Sequence, residues 1–317
     1  MPDKKRKSMV RENKKKLKFS AFVISCALII ALAVLNSSGV FTYDKLLSTF
    51  GLNYEQTAVD GNLSVHFIDV GQGDCIFIKS DDMAMLIDAG ESSESPSVEA
   101  YIRAQGVDKL DYVIATHPHS DHIGGLADII SNFNVGKVIV PKIPDELTPT
   151  TKAYENFLLA VKDKSLKLAA ANAGDVYEIG KGNFKILGPL TDEYSNLNNY
   201  SVVTYLTYGE NSFIFTGDAE SQAEKDMLEA GMIEHADVLK VGHHGSNTSS
   251  SNEFLEAVMP DYAVIMCGDN SYNHPHEKTV SKLAEYTDKI YRTDMQGTVV
   301  IETNGEELTV SFEKGDN

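Results

Sequence analysis

The chain has 317 residues, 42% of them hydrophobic and 23% charged, which excludes an intrinsically disordered protein and leaves room for one large domain or two small ones. Its formal net charge of −18 argues against binding nucleic acid through a broad basic face. Three cysteines, none beside a histidine, argue against a structural zinc finger.

The charge is unevenly placed. Residues 1–18 carry nine Lys or Arg against Asp3 and Glu12, a local +7 that leaves −25 for the rest. Residues 19–35 are then free of charge, and apolar character resumes at Val40 and Phe41, so a transmembrane segment is predicted over 19–41. Cations before the span and none after it until Lys45 predict a single-pass signal anchor, with the amino terminus in the cytoplasm and the remainder outside. The tail 1–18 then serves for orientation and for contact with the anionic lipid bilayer. Two other readings stay open: a cleaved signal peptide ending near Ser37, Ser38 and Gly39, and a lipoprotein box at Val23-Ile24-Ser25-Cys26, although nine apolar residues follow Cys26.

Residues 42–62 read as a linker. From 63 to 317 strand and helix patterns alternate without a repeat, which predicts one domain. Strands are expected at 63–70, 75–79 and 83–88, separated by turn-rich segments that suit hairpins. A helix at 96–105, a strand at 111–116, a helix at 125–132 and a strand at 137–140 follow, and 150–163 looks helical. A second series has strands at 184–187, 201–208 and 212–216, a helix at 220–230, a strand at 237–241, a helix at 253–259, a strand at 262–267 and a helix at 276–286. Short strands near 290, at 298–303 and at 308–312 close it. Two β-rich halves with helices fit an α/β or α+β sandwich of two mixed sheets with helices outside. Cys75 and Cys267 fall in apolar runs and read as buried free thiols.

The chemistry concentrates at strand ends. Residues 116–125 read THPHSDHIGG, placing His117, His119, Asp121 and His122 on a loop after a buried strand, where imidazole and carboxylate suit zinc, manganese or iron. Asp218 follows another strand, His243 and His244 a third, and His274 and His276 flank Pro275 after a fourth. Seven of nine histidines thus lie at strand ends, as a single metal cleft requires. Blander readings exist: Asp218 as a helix N-cap, and the later histidines as satisfied turns.

The H-x-H-x-D-H run, with Leu86-Ile87-Asp88-Ala89-Gly90, Thr216-Gly217-Asp218 and Gly242-His243-His244-Gly245, resembles the metallo-β-lactamase fold superfamily over 63 to about 295. Within it, the segment from Asp69 to Asp74, Asn199-Tyr200-Ser201, His243 to Ser246 and Asn273 to His276 are similar to the hydrolase domain of the ComEC-type competence proteins. The resemblance implies an αββα sandwich with one or two divalent ions, zinc or manganese. It implies that His117 and His119 hold one ion and Asp121, His122 and His244 the other, with Asp218 bridging. Asp88 would orient the histidine loop, as metal-bound histidines need, and His243 would lie alongside as a substrate contact. Asp74, Asn199, Ser201 and His276 would support the site. Where most two-metal relatives carry a further histidine, this chain has Asn198, Asn199 and Ser201, which leaves the first ion more open.

The expected function is an extracytoplasmic phosphodiesterase or nuclease that uses metal-activated hydroxide. Asp121 would orient the nucleophile, and His243 or His274 would stabilise charge or protonate the leaving group. The expected substrate is a phosphodiester such as DNA, and any role in DNA uptake would need a membrane partner. Alternatives are hydrolysis of cell-wall or lipid head-group phosphoesters, lactones or β-lactams, and a non-catalytic metal-binding surface protein.

Overall fold

In the computed structural model of the chain, which describes residues 62–314, the apolar runs pair into two sheets. β1 (Leu63–Phe67), β2 (Ile76–Ser80) and β3 (Met83–Ile87) form antiparallel hairpins, and β4 (Lys109–Ile114), β5 (Asn134–Val140) and β6 (Leu168–Ala170) extend the sheet in parallel. The second sheet starts antiparallel with β7 (Val176–Ile179), β8 (Gly182–Gly188), β9 (Val203–Tyr208) and β10 (Asn211–Phe215). It continues in parallel with β11 (Val238–Lys240), β12 (Tyr262–Ile265) and β13 (Ile290–Arg292). β14 (Val299–Thr303) and β15 (Leu308–Phe312) return to the first sheet, where β14 pairs with β1. The strand orders are β15-β14-β1-β2-β3-β4-β5-β6 and β13-β12-β11-β10-β9-β8-β7.

The two-residue period of a strand sorts its side chains into layers. Leu63, Val65 and Phe67 of β1 and Met85 and Ile87 of β3 pack against Phe213 and Phe215 of β10 and Val264 of β12, making the core between the sheets. The alternate residues Ala84 and Leu86 face outward onto Val98, Ile102, Ile129 and Phe157. These belong to α1 (Ser95–Ala104), α3 (Leu126–Asn132) and α4 (Lys152–Asp163); the single turn α2 (Ser120–Ile123) precedes α3. On the far side Ile214 and Leu239 meet Ala223, Phe254 and Leu283, from α5 (Ser221–Glu229), α6 (Asn252–Val258) and α7 (Glu277–Leu283). The layers run helix, sheet, sheet, helix.

The expected elements recur with ends moved by a few residues. β6 and β7 were not anticipated: at three and four residues they are too short to show a period, and pairing with β5 and β8 makes them strands. The histidine segment is likewise not a plain loop, because Asp121 and His122 lie in α2. Cys75 and Cys267 are buried and free. Among the described residues no helix is long and apolar enough to cross a membrane. The tail and span read at 1–18 and 19–41, and all of the linker but Asn62, lie outside those residues.

Candidate metal centre

The loops that follow β1, β3 and β4 in one sheet meet those that follow β10, β11 and β12 in the other. Parallel pairing of β3 with β4, and of β10, β11 and β12, brings their carboxyl ends to one edge. The backbone locks these loops together: Asp88 N donates to Ile114 O at 2.9 Å, Ala89 N to His122 O at 2.8 Å, Asp74 N to Asp121 O at 3.1 Å, and Val202 N to Thr116 O at 2.9 Å. Gly73 is required where Asp74's loop passes the histidine segment, since a Cβ there would lie 2.3 Å from Asp121 O.

Two groups of side chains then converge, His117 with His119 and Asp218, and Asp121 with His122 and His244; within each, ligand atoms lie within 4.8 Å of one another. Asp218 touches both, with Oδ2 3.7 Å from His117 Nε2 and 3.2 Å from His122 Nε2, and Oδ1 3.5 Å from His244 Nε2. His244 Nε2 is also 3.3 Å from Asp121 Oδ2. Asp218 is not the cap of α5, whose N-cap is Glu220.

The far sides of the rings are tied down. His122 Nδ1 lies 2.8 Å from Asp88 Oδ2, and His244 Nδ1 lies 2.9 Å from Met266 O. His117 Nδ1 has Thr116 Oγ1 at 3.2 Å and Ser201 Oγ at 3.4 Å. His243 and His244 both take left-handed φ, 50° and 54°, a conformation that costs a non-glycine residue about 1–3 kcal/mol; it turns the consecutive rings so that His244 is buried and His243 half-buried.

The inward atoms fit a cation. His122 Nε2, His244 Nε2 and Asp218 Oδ1 are buried without a hydrogen-bond partner, a costly state for polar atoms, and a divalent ion satisfies such atoms directly. His117 Nε2 and His119 Nδ1 face each other at 2.9 Å, near enough for both to reach one ion that binds nitrogen at about 2.0–2.1 Å. Asp74, Asp88 and His122 make a third group, but three of its four carboxylate oxygens are engaged, Asp74 Oδ1 alone being without a close partner. Asp88 accepts from Thr116 N at 2.8 Å and Thr116 Oγ1 at 2.5 Å besides His122, and Asp74 is paired with Lys240.

The charges are strongly coupled. Burial opposes protonation of His122, yet the Asp218 and Asp121 carboxylates and the hydrogen bond to Asp88 outweigh it and raise its pKa well above the usual value. His244 is held up at about 9 in the same way, by Asp218, Asp121 and Asp74 against burial. Asp218 is depressed by His122, His244 and His117 although burial works the other way. His117 goes down, through burial first and the neighbouring His122 next. Such opposed shifts in one cleft mark a functional site.

The remaining expected residues stand around this centre. His243 Nε2 is 3.7 Å from Asp218 Oδ2, and His274 packs against His243 with ring centroids 5.2 Å apart. Burial, and then His243, His244 and His276, bring His274 down to about 4. His276 lies one ring further out, 5.0 Å from His274, at the N-cap of α7. Ser201 Oγ accepts from Asp218 N at 3.0 Å. Asn199 Oδ1 accepts from Glu220 N at 3.0 Å and Ala223 N at 3.4 Å, so it caps α5. The segment that lacks the further histidine therefore braces the turn bearing Asp218.

Sequence reasoning missed two residues. Glu220 is gripped by Asn196 Nδ2 at 2.9 Å, Asn198 Nδ2 at 3.3 Å and Thr248 Oγ1 at 2.9 Å, and its Oε1 stands 3.3 Å from His243 Nδ1. Lys240 is fully buried. Its signal was a lone cation inside the apolar run Val238-Leu239-Lys240-Val241; Glu220 looked like any helix-start carboxylate.

The family described as the metallo-beta-lactamase superfamily matches residues 68–269. The chain is 32% identical over 254 residues to ComE operon protein 3 of Bacillus subtilis, covering 74% of this chain and 32% of that protein. It is 29% identical over 265 residues to competence protein ComA of Neisseria gonorrhoeae, covering 82% of this chain and 35% of that protein. It thus spans about a third of the length of these curated relatives. Among solved structures, CmlA, a diiron β-hydroxylase from Streptomyces venezuelae, superposes with a TM-score of 0.52 at 15% identity, covering 82% of this chain and 59% of that one, a likeness of fold alone.

Proposed function

This chain belongs to the metallo-β-lactamase superfamily, and from that premise we propose that it is a metal-dependent phosphodiesterase acting on nucleic acid outside the cytoplasm, held by an amino-terminal membrane anchor. The observation that carries this reading is the convergence of His117, His119, Asp121, His122, Asp218 and His244 on one cleft, with buried inward atoms that lack partners. These residues would hold one or two divalent ions, zinc or manganese, which would supply Lewis-acid activation of water and of the phosphoryl group.

The chain's own groups do the rest. The Asp121 side chain is 28% exposed where His117, His122, Asp218 and His244 are buried, so its carboxylate lines the open side and is placed to orient the attacking water by a hydrogen bond. Glu220 holds His243 by Nδ1, which leaves Nε2 facing the cleft to donate a proton to the leaving oxygen. His274 walls the cleft beside it. One of these relatives is named a competence protein, which supports nucleic acid as the substrate class, and with a net −18 the acidic chain would depend on the ions and rim histidines to attract it. A membrane partner would deliver the strand.

The test is a panel of single-stranded DNA, bis-p-nitrophenyl phosphate, choline phosphoesters and nitrocefin, run on metal-loaded wild type and His119→Ala. Cleavage of the first two, lost in the variant, is expected; turnover of nitrocefin alone would replace this reading. A reporter fused after residue 62 should be active only outside the cytoplasm.

A further inference from the structure

Lys240 ends β11 with an ammonium group out of reach of solvent, the residue being 0% exposed. A buried cation persists only when well compensated, and this one has two acceptors. Its Nζ pairs with Asp74, itself 1% exposed, and donates to Gly217 O at 3.0 Å. Lys240 O in turn accepts from Thr216 Oγ1 at 2.9 Å. Asp74 follows β1 in one sheet and Lys240 closes β11 in the other, so the pair crosses between the sheets behind the metal centre.

Both acceptors lead to candidate ligands. Asp74 Oδ1 is 3.4 Å from His244 Nδ1, and Asp74 Oδ2 is 3.8 Å from His122 Nδ1. Gly217 directly precedes Asp218, and a φ of +52° shows how sharply the chain turns there. One ammonium group thus bears on His122, His244 and Asp218. It also keeps Asp74 occupied: the ligand atoms of Asp74, Asp88 and His122 lie within 4.8 Å of one another, a rival cation nest if Asp74 were released.

We propose that Lys240 is a positioning residue of the metal centre, holding Asp74 back as a support for the histidines and fixing the turn that presents Asp218. The inference rests on the metal-dependent reading above. Supports one layer behind metal ligands commonly govern affinity as the ligands themselves do. A purely structural pair, by contrast, can be replaced by uncharged residues at little cost.

The test uses the purified full chain, stripped with chelator and titrated with Co²⁺ while its visible absorption is recorded. Lys240→Met/Asp74→Asn removes both charges together and should fold like wild type in the metal-free state. It is expected to bind Co²⁺ about 10- to 100-fold more weakly with an altered spectrum. In Lys240→Met alone the spectrum should shift as Asp74 joins the ligands. Asp74→Asn, which keeps the bond from Lys240 to Gly217, gives the same reading should the double variant not fold. Wild-type affinity and spectrum in these variants would overturn the proposal alone. A wild type that takes up no Co²⁺ would overturn the metal reading and this proposal with it.

Discussion

Glu220 Oε1 stands 3.3 Å from Nδ1 of His243, while Nε2 of the same ring looks toward Asp218. The hydrogen bond with His243 is the main cause that lowers the Glu220 pKa, so the carboxylate is charged and orients the ring at neutral pH. Glu220→Gln keeps the size and loses the charge. It should lower kcat about 10- to 100-fold, short of the roughly 100- to 10,000-fold a general acid contributes because the ring itself remains, with metal content unchanged. An unaltered kcat would remove His243 from the role of proton donor.

Asp218 is grouped with His117 and His119 and also lies 3.2 Å from His122 Nε2 and 3.5 Å from His244 Nε2, whereas His119 belongs to one group. Asp218→Ala should therefore weaken binding of both ions, and His119→Ala should cost roughly one ion of the two a complete centre holds. Elemental analysis after dialysis against buffered metal distinguishes them; equal losses in the two variants would contradict a bridging Asp218.

Gly73 has φ +146°, and a Cβ there would meet Asp121 O at 2.3 Å. Because that neighbour is backbone, Gly73→Ala has to displace the histidine segment. The expected result is a folded protein by circular dichroism with metal affinity reduced about 10-fold or more, the scale seen when supports of metal ligands are disturbed. Wild-type affinity would show that the two loops move independently.

Without metal, His244 is held up at about 9 because Asp218, Asp121 and Asp74 outweigh burial. A histidine whose folded pKa lies above its unfolded value of 6.5 stabilises the fold fully below pH 6.5, and that contribution is lost as pH rises through about 9. The metal-free protein should thus melt at progressively lower temperature from pH 6.5 to 9, and less steeply in His244→Gln. Apparent metal affinity should climb over the same window, since the proton must leave. Calorimetry in buffers of different ionisation enthalpy measures that release, and its absence would contradict a protonated His244.

Much of the fold was legible because the strands alternate so regularly. In β1 and β3 every second residue faces the inter-sheet core, and that two-residue period survives in the sequence. β6 and β7 carried no such pattern, their state being decided by pairing with a neighbour remote in sequence. The histidine segment was legible by density alone, four potential ligands in six positions.

The layered α/β architecture and the kinds of groups at the strand ends can be read along the chain, because periodicity and ligand chemistry are local properties. Which atoms meet depends on how the two sheets come together. Asp218 stands between the two groups, Asp88 sits behind His122, Ser201 braces Asp218 where a further histidine was wanting, and Glu220 and Lys240 enter the site unannounced. Those roles depend on through-space distances and on burial from solvent. A carboxylate or ammonium looks the same in a sequence whether water or another sheet surrounds it.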